Sequence, residues 1–102
     1  MELEVVRYDA VEKVPDLGLF GTLSSVLREH DPTGAPVPLL MPASTDGRFF
    51  ARLGIQTYGF TPMTLPASMK FTTLVHGVDE RIPVEAVEFG TSCVTSLLQR
   101  FH

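Results

Sequence analysis

The stretch Val75-His76-Gly77-Val78-Asp79-Glu80-Arg81-Ile82-Pro83 sets an imidazole beside two carboxylates and a guanidinium, just ahead of a helix start. A neutral imidazole nitrogen is the commonest side-chain zinc ligand, and a nearby carboxylate is the usual partner that fixes its tautomer. His76 has the chemistry of a metal ligand, and Asp79 and Glu80 that of the carboxylates behind it. A second stretch, Ser44-Thr45-Asp46-Gly47-Arg48, gathers hydroxyls, a carboxylate and a guanidinium where a helix begins. Unpaired N–H groups and the helix dipole favour an anion at such a place. Arg48 adds the planar fork that clamps a carboxylate. The plainer reading of both stretches is local: a solvated loop histidine, and a helix capped by Thr45 and Asp46 while Arg48 makes a surface ion pair.

These groups need elements to hold them. Residues 2–8 alternate in the manner of a strand, with β-branched and aromatic content. Pro15-Asp16 offers a helix cap, and Leu19, Phe20, Leu23, Val26 and Leu27 follow at helical spacing, so a helix is expected over 16–30. Asp31-Pro32-Thr33-Gly34-Ala35-Pro36 stops it. The apolar run 37–41 reads as a strand, at an edge given Pro38. A helix of about two turns then runs from Asp46 to a stop at Gly54, capped by Ser44 or Thr45.

Residues 55–60 give the next strand, and strand, helix, strand without a hairpin signal implies a parallel pair. Ligands of such sheets bind outside the carboxyl ends of the strands. Thr45, Asp46, Gly47 and Arg48 leave one strand at that end, and Gly59 and Phe60 close the other, so a shared substrate site is coherent there. Residues 63–74 lack a clean period and read as a loop, with Met63, Met69 and Phe71 packing against something. The longest helix follows over 83–101, with Pro83 at its first position and Glu85 in its first turn. Its apolar stripe is Val87, Val94, Leu97, Leu98 and Phe101, with Gly90 allowing close packing on the sheet.

Composition narrows the partners. At 102 residues the chain is a single α/β domain, residues 1–102, with an opening strand and helix in 1–36 and the substrate and metal part in 37–102. A chain this size buries only about 60–68% of its unfolded surface. It is 44% hydrophobic and 20% charged, apolar for a small solvated domain, so part of that surface is expected to face a partner or a missing segment. A net charge of −4 with no basic cluster argues against nucleic acid and against anionic membranes. The single Cys93 excludes an intrachain disulfide and a thiolate metal site, and with no apolar run long enough to span a bilayer the expected setting is cytoplasmic.

Thr45-Asp46-Gly47-Arg48, then Gly59-Phe60-Thr61-Pro62, then His76-Gly77-Val78-Asp79-Glu80 form an ordered triplet of blocks. In order and spacing they resemble the C-terminal end of the di-zinc exopeptidase family that includes aminoacylase, glutamate carboxypeptidase, succinyl-diaminopimelate desuccinylase and the carnosine dipeptidases. The likeness covers residues 37–102 closely and residues 1–36 in layout only. It implies a partial three-layer α/β/α sheet with parallel strands, as a piece of such a catalytic domain. It also implies two zinc ions in the complete enzyme, which polarise a scissile amide carbonyl and activate a bridging water whose proton a Glu takes. The substrates implied are small peptides or N-acyl amino acids.

On that resemblance His76 matches the last metal ligand, Arg48 and its block line the pocket for the substrate carboxylate, and no catalytic residue lies in this piece. The remaining ligands and the Glu belong to an N-terminal half. A catalytic zinc needs about three protein ligands, so the chain alone is expected to be inactive and to pair with the missing half or with itself. The alternative is a non-catalytic α/β binding or oligomerisation module derived from that fold.

Overall fold

The computed structural model describes residues 17–40 and 44–101. Among them lie four helices: α1, Phe20–His30; α2, Gly47–Ala51; α3, Phe71–Leu74; and α4, Val84–Arg100. Only α1 and α4 pack against one another, and the core sits between them.

The expected three- to four-residue spacing of apolar side chains does produce α1, which buries Leu23, Ser24 and Val26. It begins later than Asp16, which lies outside the described residues. No side chain caps it; the Leu19 N–H is taken instead by the Tyr58 hydroxyl at 3.0 Å, from a segment far along the chain. At the other end Pro32 cannot continue the helix. The Asp31 carboxylate accepts from the Thr33 N–H at 3.2 Å and the Thr33 hydroxyl at 2.7 Å, closing a side-chain turn.

α4 follows Pro83, which caps the helix with extended backbone and does not form its first residue. Its buried positions are Ala86 and Cys93, with Phe89, Gly90, Ser96 and Leu97 half-buried. Val26 of α1 and Cys93 are both fully buried. Burying a valine side chain completely stabilises by about 1.5–3 kcal/mol. Ser25 and Glu29 of α1 meet Arg100 near the end of α4, whereas His30 meets Ser96 and Phe89 nearer its start, so the helices run antiparallel.

Most of the stripe expected to face inward on α4 faces out: Val87, Val94, Leu98 and Phe101 are exposed, and Leu97 alone of the five is half-buried. α4 carries apolar side chains on two faces, and the buried one holds the small residues Ala86 and Cys93. Gly90 does serve close packing, though against a loop carbonyl and not a sheet. A Cβ built on it would stand 2.6 Å from the Pro62 carbonyl oxygen.

The expected α/β/α sheet of parallel strands is overturned: there is no strand among the described residues. Residues 37–40 and 55–60 belong to no strand, while residues 2–8 and Met41 lie outside the described residues. Leu39 and Leu40 are 85% and 82% exposed. A strand exists only where a neighbour takes its N–H and C=O groups and covers a face, and β-branching cannot supply that neighbour. Residues 63–74, expected to be loop, contain the single turn α3, whose Thr73 and Leu74 N–H groups both donate to the Lys70 carbonyl at 3.1 and 3.2 Å.

Candidate functional site

α3 ends in a turn that presents His76. The Val75 N–H donates to the Phe71 carbonyl at 3.0 Å and the Gly77 N–H to the Leu74 carbonyl at 2.9 Å. Between them His76 takes a φ of 58°, in the left-handed region, which costs a residue with a Cβ about 1–2 kcal/mol. Strained backbone of this kind clusters at functional sites. The imidazole is exposed, and among the described residues nothing pairs with it. Asp79 and Glu80 are exposed as well; the Asp79 carbonyl accepts from Arg81 Nη1 at 3.1 Å, which braces the turn after the histidine.

The Thr45–Arg48 block forms the start of α2. The Thr45 hydroxyl accepts from the Gly47 N–H at 3.3 Å, a local turn bond, while Asp46 stands at the helix boundary and makes no side-chain cap bond. The Arg48 and Phe49 N–H groups donate to the Thr45 and Asp46 carbonyls at 3.3 and 3.0 Å. α2 is shorter than the two turns expected, and the chain leaves it at Gly54 with a φ of 74°. The Arg48 guanidinium lies over the Phe49 ring, 4.7 Å from its centroid, with Arg52 at 6.0 Å. A cation on an aromatic face is stabilised by the ring quadrupole.

The start of α2 touches the segment just ahead of the second block. A Cβ on Gly47 would stand 3.2 Å from the Thr57 methyl, so the start of α2 lies against the segment that leads to Gly59 and Phe60. Phe60 is half-buried and Gly59 exposed. His76 lies on the turn after α3.

Beside that turn is a cleft of about 340 Å³. Met63, Leu65, Phe71, Leu74, Val75 and Ile82 make up its apolar lining, and Glu80 and Arg81 its polar lining. Of the three residues expected to pack, Met63 and Met69 are half-buried and Phe71 is exposed at the cleft. The sequence signal for the cleft was Phe71, Leu74 and Val75 at i, i+3 and i+4, one face of a helical turn.

Among the described residues no three His, Cys, Asp or Glu side chains are placed to hold a metal ion. One exposed histidine with no described partner does not make up a zinc site, for which about three protein ligands are needed. No described helix is long and apolar enough to cross a membrane. No family model matches the chain, and no curated protein or solved structure matches it.

Proposed function

We propose that this chain is a C-terminal part of a zinc-dependent amide hydrolase of the di-zinc exopeptidase type, acting on N-acyl amino acids or small peptides and inactive alone. The observation that carries the reading is His76: an imidazole exposed on a strained left-handed turn, ahead of Asp79 and Glu80, with the resemblance of the three blocks behind it. In this reading His76 supplies one ligand nitrogen to a centre completed by other protein, and Arg48 with Thr45, Asp46, Gly47, Gly59 and Phe60 forms the part that holds the substrate. Zinc is held jointly, and a cytoplasmic setting fits a chain whose one thiol is buried and unpaired. The experiment is complementation: the purified chain should leave N-acetyl amino acids intact, and hydrolysis should arise only with the polypeptide encoded just upstream. Turnover by the chain alone, unaffected by His76→Ala, would sink it.

One observation favours a second reading. Val84, Val87, Thr91, Val94, Leu98 and Phe101 repeat at alternating spacings of three and four along the outer side of α4, and the five apolar members are 39–70% exposed. Such a seam is the pattern of helices that associate. A non-catalytic module that pairs through α4 with a second copy accounts for it. Sedimentation equilibrium at micromolar concentration tests the seam: a dimer dissociated by Leu98→Glu supports pairing through α4, and a dimer unaffected by it, or a monodisperse monomer, removes that pairing.

A further inference from the structure

The outer seam of α4 lies opposite Phe89 and Ser96, the residues that meet His30 of α1. Its two halves differ in size: Val84, Val87 and Thr91 come first, then Val94, Leu98 and Phe101, the last at the helix cap. The one polar member is already satisfied, because the Thr91 hydroxyl donates to the Val87 carbonyl at 2.8 Å. Beside the seam the Ser92 and Thr95 hydroxyls donate to the Glu88 and Thr91 carbonyls at 3.0 and 2.8 Å. Covering this face therefore strands no hydroxyl donor. The charges of α4 are unevenly placed. Glu85 and Glu88 lie in its first two turns, whereas Arg100 in its last turn is tied to Glu29 and Ser25 of α1.

We infer that the seam is covered by α4 of a second copy running antiparallel, with Val84 against Phe101, Val87 against Leu98 and Thr91 against Val94. The inference rests on the second reading above, pairing through α4, and adds its orientation and register. Antiparallel pairing sets the smaller half of each helix on the larger half of the other, so the layers are even and fill to interior density. Parallel pairing would set Phe101 on its own copy at one end and Val84 on its own copy at the other, crowding the first layer and thinning the second. Charge points the same way. Antiparallel pairing holds the two copies of Glu85 about 22 Å apart along the axis, at ~1.5 Å per residue, well beyond the ~8 Å screening length at physiological salt. Parallel pairing would gather four carboxylates round one end and align the two helix dipoles. This register keeps all six positions paired, whereas a shift by one heptad leaves an end of each seam bare.

Disulfide trapping tests the orientation, in Cys93→Ala protein so that an introduced thiol is the only one. Val84→Cys and Phe101→Cys chains are oxidised separately and as an equimolar mixture, then read on non-reducing gels. The mixture should yield cross-linked dimer and Val84→Cys alone at least ~10-fold less, because its two thiols would lie about 25 Å apart along the axis, against the ~7 Å between Cα atoms that a disulfide tolerates. Val87→Cys with Leu98→Cys is the second pair, should either end variant fail to fold, and far-ultraviolet circular dichroism checks each. Adding Leu98→Glu to the first pair should abolish the cross-link, which distinguishes a seam from chance collision; a cross-link that survives it would overturn the inference. Self-cross-linking of Val84→Cys at the level of the mixture would overturn the antiparallel arrangement and leave pairing through α4 standing. A monomer in sedimentation, with no cross-link from either pair, would overturn both and leave the seam to a different polypeptide.

Discussion

Gly90 of α4 and Pro62 of the preceding loop approach so closely that a Cβ on the glycine would stand 2.6 Å from the Pro62 carbonyl oxygen. The obstacle is backbone, which cannot swing aside as a side chain can. In an exposed helix, glycine to alanine gains about 1 kcal/mol of helix propensity. Here the sign should reverse. Gly90→Ala is expected to lower stability by about 1–3 kcal/mol, read from urea unfolding followed by circular dichroism; a stabilised variant would show that the loop does not pack on α4.

His76 carries a prediction of opposite sign. Its φ of 58° suits glycine, so His76→Gly should raise stability by about 1 kcal/mol while removing the candidate ligand. His76→Val, β-branched, should lower it. Thermal unfolding of the two variants against the parent decides the matter, and a loss in the glycine variant would mean that the imidazole has structural partners.

Cys93 predicts a pH dependence. Burial raises its thiol above the usual value, because the thiolate would lie in an apolar surrounding. With the folded value above the unfolded one, the stability contribution is fully present below the unfolded pKa, near 9.0. It is lost as the pH rises towards the folded value, since the unfolded chain then sheds the proton more readily. The urea midpoint should therefore fall above about pH 9 more steeply in the parent than in Cys93→Ala. Parallel profiles would show that the thiol titrates the same in both states.

How far these features were legible differs from element to element. α1 and α4 were readable because Leu23 and Val26 on one and a long uninterrupted stretch on the other keep the helical period. Gly54 was readable as a stop because glycine takes the positive φ that ends a helix without steric cost, and its φ is 74°. Which face of α4 enters the core was not readable, since Ala86 and Cys93 are small and the larger Val87, Val94 and Leu98 dominate any hydrophobic count. The strands at 37–40 and 55–60 failed for another reason: Leu39, Leu40 and Ile55 are apolar, but a strand is a property of two segments. At the site, His76 stood out by its chemistry alone. Its left-handed backbone depends on how α3 ends, which no spacing reveals, whereas one wall of the neighbouring cleft follows the spacing of Phe71, Leu74 and Val75.

His76, as proposed, supplies one ligand to a zinc centre finished by another polypeptide. The most direct measurement is zinc content by elemental analysis, after dialysis, of the chain alone and of the chain expressed with the polypeptide encoded just upstream. The chain alone should hold no stoichiometric zinc and the complex about two zinc ions, with a loss of affinity of about a hundredfold or more on His76→Ala. A tightly held zinc in the isolated chain, or a complex whose zinc survives His76→Ala unchanged, would contradict it.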